Sequence, residues 1–149
     1  MDFHLDSLLN FPNVTVSTCQ QQKDFIVLKL DFLNEGISCP YCQNYLDDIH
    51  QTRPILVRDL AIFGQVVYLQ VPRRQFYCRH CQKYPTESLL FVEKRRNYTI
   101  RYEEYIYERV KELTVEQVSH NEQLSPEQVK NIFSRKANQK KKTGQCQPN

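Results

Sequence analysis

Cys39-Pro40-Tyr41-Cys42 and Cys78-Arg79-His80-Cys81 are two C-x-x-C pairs, 35 residues apart, on a chain of 149 residues that carries six cysteines. Two residues between ligands let one tight turn bring both sulfurs to a single metal while its backbone N–H groups point at them. Four thiolates delivered as two such pairs suit tetrahedral zinc. Disulfides inside C-x-x-C are mostly redox devices beside a βαβ unit, and no such alternation is legible here. Iron is the rival metal, because a rubredoxin-like site also uses two C-x-x-C turns. Gln43 and Gln82 follow the second cysteine of each pair, where such iron sites favour glycine for a tight turn, and this weighs toward zinc. His80 lies within the second turn, but the set Cys39, Cys42, Cys78, Cys81 is complete without it, so His80 is expected to face solvent or phosphate. The first expectation is a structural zinc ribbon.

Catalytic groups are sparse. Asp47 and Asp48 are adjacent, so their carboxylates point apart, and no motif places a third acid beside them. Three glycines in total leave no phosphate-cradling loop and no Gly-x-Ser-x-Gly. The chain is therefore expected not to be an enzyme. Cys19 and Cys146 stand alone and are expected to be free thiols in a reducing, cytoplasmic setting. The N-terminus shows no basic leader followed by an apolar stretch, and no run approaches the length that spans a bilayer, so neither secretion nor membrane insertion is expected.

The elements that must position the cysteines are short and β-rich. Residues 14–18 and 25–33 are rich in β-branched and apolar side chains and read as a strand pair leading into the first cysteine turn. A polar loop with Asp47, Asp48 and His50 is expected after Cys42. Ile55–Leu60 and Gln65–Val71 read as two further strands around Phe63-Gly64, with Gly64 supplying the turn. Pro72 is expected to stop the ladder, and 73–77 to deliver the chain to Cys78. The patch Leu89-Leu90-Phe91-Val92 lies in a connector.

From Thr99 the apolar period changes from two to about 3.6. Thr99 can cap a helix with Tyr102, Tyr105, Ile106, Val110 and Leu113 inside and Glu103, Glu104, Glu108, Lys111 and Glu112 mainly outside. Thr114-Val115-Glu116-Gln117 and Ser125-Pro126-Glu127-Gln128 are capping boxes for a short second helix and a third, which buries Val129, Ile132 and Phe133. A short second helix, a brief turn and a basic third helix describe a helix-turn-helix. Its third helix would display Glu127, Gln128, Lys130, Asn131, Ser134 and Arg135 to the major groove. The amides of Gln128 and Asn131 suit adenine edges, and Lys130 and Arg135 suit phosphate or guanine. Gln123 and Glu122 depart from the usual turn, where glycine and an apolar residue are common.

Charge agrees with this division. Residues 1–93 hold 8 Lys+Arg against 10 Asp+Glu, whereas residues 94–149 hold 12 against 7. The basic half is the electrostatic half of a polyanion binder, with Lys94, Arg95 and Arg96 at its start. The expected fold class is α+β, a small antiparallel β zinc ribbon (1–93) followed by a three-helix helix-turn-helix unit (94–137) and a polar, disordered tail (138–149).

Beyond the cysteine pairs, the strings Val57-Arg58-Asp59-Leu60, Val66-Val67-Tyr68-Leu69 and Arg73-Arg74-Gln75-Phe76-Tyr77-Cys78 resemble the N-terminal region of bacterial insertion-sequence transposases of the ISL-three type. The resemblance spans roughly residues 25–135. It implies a four-Cys zinc ribbon and a helix-turn-helix that bind double-stranded DNA at the terminal inverted repeats. In that family an RNase-H-like domain further along cuts DNA with Asp, Asp, Glu and magnesium. The expectation is thus a truncated, DNA-recognising portion of a transposase, with self-association or a full-length transposase as further partners. The alternative is a zinc-dependent protein-interaction or regulatory module, in which Phe76, Tyr77, Tyr84 and the patch from Leu89 to Val92 dock another protein.

Overall fold

The computed structural model describes residues 3–144, excepting the side chain of Phe3. It divides into two compact units, one ending at Tyr98 and one starting at Thr99. The division lies after the basic run Lys94-Arg95-Arg96, not before it as the charge shift suggested.

The first unit begins with a short helix, α1 (Phe3–Leu9), that periodicity had not signalled. Asp6 fastens it to the first strand: its carboxylate accepts from the Thr15 hydroxyl and from the Val16 N–H, both at 2.7 Å. Strands β1 (Val14–Gln21) and β2 (Phe25–Phe32) pair antiparallel, with a register shift between Val16 and Thr18. A small ribbon of β3 (Ile37–Ser38) and β4 (Tyr45–Leu46) follows, then β5 (Ile49–Ile62) and β6 (Gln65–Phe76). Phe63 and Gly64 both have positive φ, 49° and 78°, in the turn of the β5–β6 hairpin.

The sheet order is β1-β2-β6-β5, and β2 runs parallel to β6 from Phe25 opposite Val66 to Lys29 opposite Gln70. The expected all-antiparallel module is therefore wrong in one pairing. A parallel neighbour needs a long crossover, and residues 33–64, with the first cysteine turn and β5, provide it.

Pro72 does not end its strand. It lies directly opposite Pro54 within the β5–β6 ladder. In antiparallel pairing every second opposed pair exchanges no backbone hydrogen bonds, and two residues without N–H groups are tolerated there. The ladder with β2 ends at Gln70, so Pro72 blocks nothing on that side. The polar loop expected up to residue 54 is likewise shorter, because β5 already begins at Ile49.

Strand β6 serves two cores in succession. Val67, Leu69 and Val71, on its odd face, are buried with Val16, Leu28, Leu30 and Val57. Further along, the even positions Arg74 and Phe76 are the buried ones, and Phe76 packs with Cys39, Leu46 and Cys78. Because side chains alternate along a strand, one uninterrupted β6 can seal the sheet on one face and the cysteine cluster on the other. Between them, Arg74 makes a bidentate pair with Glu87 (2.8 and 2.7 Å) and donates to the Asn34 carbonyl at 3.0 Å. Its guanidinium also lies 4.5 Å from the centre of the Phe32 ring.

The second unit contains α2 (Ile100–Glu112), α3 (Val115–Glu122) and α4 (Pro126–Lys142). The Thr99 hydroxyl caps α2, and both expected capping boxes are formed. Val129 and Ile132 are buried, and Phe133 stacks on Tyr107 with ring centres 4.9 Å apart. Two details of α2 differ from expectation: Glu103 is fully buried, whereas Tyr105 is 39% exposed. Helix α4 also continues to Lys142, through the first residues of the expected disordered tail, because acids on α2 hold its cations. Lys140 meets Glu104 at 2.8 Å, and Lys136 and Arg135 lie 3.8 Å from Glu104 and Glu103. Cys146 and the end of that tail lie outside the described residues. No helix is long and apolar enough to cross a membrane among the described residues.

Candidate metal centre and nucleic-acid interface

The two cysteine turns are built alike. Cys39 N–H donates to the Asn44 carbonyl at 2.8 Å, and Cys78 N–H to the Lys83 carbonyl at 2.9 Å. Gln43 and Gln82, one past each second cysteine, both adopt the left-handed conformation, with φ of 65° and 56°. The tight turn that glycine would make easy is thus made by glutamine in both halves, so turn chemistry does not separate zinc from iron here.

The turns bring four sulfurs within 4.8 Å of one another, at Cys39, Cys42, Cys78 and Cys81. Cys39 Sγ lies 3.6 Å from Cys81 Sγ, and Cys42 Sγ lies 3.5 Å from Cys78 Sγ. Metal–sulfur bonds of about 2.3 Å in a tetrahedron require sulfur–sulfur edges of about 3.8 Å. The spacing suits one four-coordinate ion and is far too long for disulfides. Burial opposes ionisation of Cys39, yet hydrogen bonds from the Tyr41 and Cys42 backbone outweigh it and bring the thiol down to about 7. Burial and the neighbouring cysteines, Cys78 first, push Cys81 up to about 12. Four thiols this close cannot all ionise against one another, and a divalent cation supplies the missing compensation. His80 is exposed, as expected of a residue outside the ligand set.

In the helical unit the turn between α3 and α4 is closed without glycine. Gln123 takes the left-handed conformation, φ 56° and ψ 42°, and its N–H reaches the His120 and Ser119 carbonyls. The Ser119 hydroxyl donates to the Leu124 carbonyl across the turn. Glu122 replaces the usual apolar contact with a polar one, its carboxylate accepting from the Tyr102 hydroxyl at 2.8 Å.

On α4, Glu127, Gln128, Lys130, Asn131 and Ser134 are exposed opposite the buried Val129 and Ile132. Two expected base-reading groups have other commitments. Gln128 Oε1 accepts the Ser125 N–H at 2.9 Å in the capping box, which leaves its amide donors for a partner. Arg135 is only partly exposed beside Glu103. Lys94 and Arg95 are exposed and Arg96 half-buried, all three in the first unit.

The alternative docking patch is partly core: Phe76, Phe91 and Val92 are buried, Tyr77 and Leu89 half-buried, and Tyr84 and Leu90 exposed. Sequence reasoning missed the Arg74–Glu87 pair, for which no local signal exists. It also set Glu103 outside, although a spacing of three from Ile106 and seven from Val110 is that of the buried stripe.

A metal-binding β ribbon followed by a capped helix-turn-helix defines a class of DNA-binding module that substitutes metal–ligand bonds for core. Residues 35–81 match the zinc-finger of transposase IS204/IS1001/IS1096/IS1165, and residues 87–135 match the helix-turn-helix domain of transposase family ISL3. The two matches adjoin and together cover more than half of the chain, which belongs to the ISL3 transposase family; its metal is zinc. No curated protein and no solved structure matches the chain.

Proposed function

We propose that this chain recognises duplex DNA at the terminal inverted repeats of a transposon, with a partner transposase supplying strand cutting. Zinc held by Cys39, Cys42, Cys78 and Cys81 folds the ribbon. Helix α4 enters the major groove, where Asn131, the amide donors of Gln128, and Lys130 read base edges while Glu127 and Ser134 border them. Lys94, Arg95 and Arg96 hold phosphates, as do the exposed Lys141 and Lys142. Arg135 steadies α4 through Glu103 and reaches DNA only with its exposed portion.

The observation that carries this reading is the two-sidedness of α4. Its buried residues alternate at helical spacing with an uninterrupted exposed polar face, beginning at a capped N-terminus and following a closed turn. A plain structural helix has no need of an exposed Lys130-Asn131 pair there.

The test is to titrate the zinc-loaded chain onto a terminal-repeat duplex and a scrambled duplex at two salt concentrations. Specific recognition predicts tighter binding to the repeat at both. Equal affinity for the two sequences would remove it.

A further inference from the structure

Aromatic and cationic side chains gather at a groove of the first unit whose rings and Arg73 the duplex reading leaves unused, although Lys94 and Arg95 serve both. Its volume is about 480 Å³, and Tyr41, Arg73, Tyr84, Lys94 and Arg95 are among its lining residues. Grooves of this size accept ligands on the scale of a nucleotide.

Tyr41 and Tyr84 are 58% and 50% exposed, so neither ring is there to fill a core. Both are nevertheless held in place. Lys83 Nζ sits 4.1 Å from the centre of the Tyr41 ring, and Tyr84 is buttressed by His50 at 4.6 Å and Tyr77 at 4.9 Å between centres. Rings fixed by neighbours lose little entropy on meeting a flat partner.

The charge around them is positive. Arg73, Lys94 and Arg95 make no ion pair among the described residues. Of the two acids lining the groove, Glu87 is already neutralised by Arg74, which leaves Glu93 alone against three cations.

Ordered aromatic faces beside backbone-tracking cations are the recognition chemistry of single-stranded nucleic acid. A duplex cannot use the rings, because its base faces are covered by stacking. We propose that this groove takes unpaired DNA, with bases stacked on Tyr41 and Tyr84 and flanking phosphates on Arg73, Lys94 and Arg95. The site goes beyond the duplex reading, and its failure would leave that reading intact.

Fluorescence anisotropy of the full zinc-loaded chain with labelled dT12, and separately with the terminal-repeat duplex, tests it. Tyr41→Leu with Tyr84→Leu should weaken dT12 binding roughly thirtyfold or more, as loss of two base-stacking faces does, and leave duplex affinity and zinc content unchanged. Tyr41→Phe with Tyr84→Phe keeps the stacking faces and should bind dT12 as the parent does. Arg73→Gln should lower the log–log salt slope for dT12 by about 0.7. Undiminished dT12 binding by the Leu pair, equal weakening by the Phe pair, or parallel loss on the duplex would each overturn the proposal. Tighter binding of rU12 than of dT12 would also overturn it, by assigning the groove to RNA.

Discussion

Left-handed backbone at three glutamines is an unusual economy in a chain with so few glycines. Gln43, Gln82 and Gln123 each occupy a conformation that costs an L-residue roughly 1 kcal/mol relative to glycine. At Gln123 the conformation lets the backbone N–H close α3 and turn toward α4. Gln123→Gly should therefore leave thermal stability unchanged or raise it by up to about 1 kcal/mol, whereas Gln123→Val should lower it by about 1–2 kcal/mol. Thermal melts of both variants check this; a Gly variant less stable than the Val variant would mean that the turn is not left-handed. Residue types alone had marked Gln123 as a poor fit to a helix-turn-helix. Type reasoning fails there because conformation is set by the hydrogen bonds on offer, and Ser119 and Leu124 supply one across the same turn. Glu103 shows the converse: an acid was assigned to solvent by its type although its spacing put it inside.

Strand β6 explains why local patterns located the elements well and their ends badly. Alternating apolar residues marked Val67, Leu69 and Val71, and the Phe63-Gly64 turn was legible from glycine. The continuation through Pro72 was not, because tolerance of that proline depends on which pairs of the ladder exchange hydrogen bonds, a property of register with β5. The parallel β2–β6 pairing is equally nonlocal. Capping boxes, by contrast, are contained within four residues, and Thr114 and Ser125 both do what their sequence indicates. Since β6 delivers Phe76 to the cysteine cluster and Val71 to the sheet core, the two positions should behave differently. Phe76→Ala should cost about 3–5 kcal/mol and speed zinc loss to a chelator. Val71→Ala should also destabilise the sheet but release zinc more slowly than Phe76→Ala does. Chelator-trapping rates decide the matter, and equal release from both variants would deny β6 its two separate duties. Between α2 and α4 the acids matter similarly. The hydrogen bond with Glu104, against some burial, holds the Lys140 ammonium above its ordinary range. A raised folded value means that this contribution is complete below the unfolded pKa and fades as pH rises through the folded one. Glu104→Gln should therefore lower the melting temperature near neutral pH slightly, by an amount that shrinks under strongly alkaline conditions.

Division into two units lets metal and DNA be tested separately. Four thiolates supply much of the folding free energy of so small a ribbon, whereas the helical unit rests on its own stripe and caps. Stripping zinc should therefore abolish amide protection around residues 35–85 while the helical signal from α2 to α4 persists. A metal-free chain with unchanged exchange throughout would show that the ribbon folds on its apolar residues alone. Basic residues, too, have separable duties. The sequence assigned Arg135 to phosphate or guanine, but Arg135, with Lys136 and Lys140, answers acids on α2, leaving Lys130 as the exposed cation beside Asn131. If Lys94 and Arg95 meet phosphates, Lys94→Gln with Arg95→Gln should weaken repeat and scrambled duplexes alike and reduce the log–log salt slope by about two. Asn131→Ala should do the reverse, costing about 1–3 kcal/mol on the repeat alone while leaving the slope in place. The contrast is decisive because phosphate contacts carry charge without sequence and base contacts carry sequence without charge; a changed slope for Asn131→Ala, or a changed preference for the double variant, would exchange the roles of the two sites.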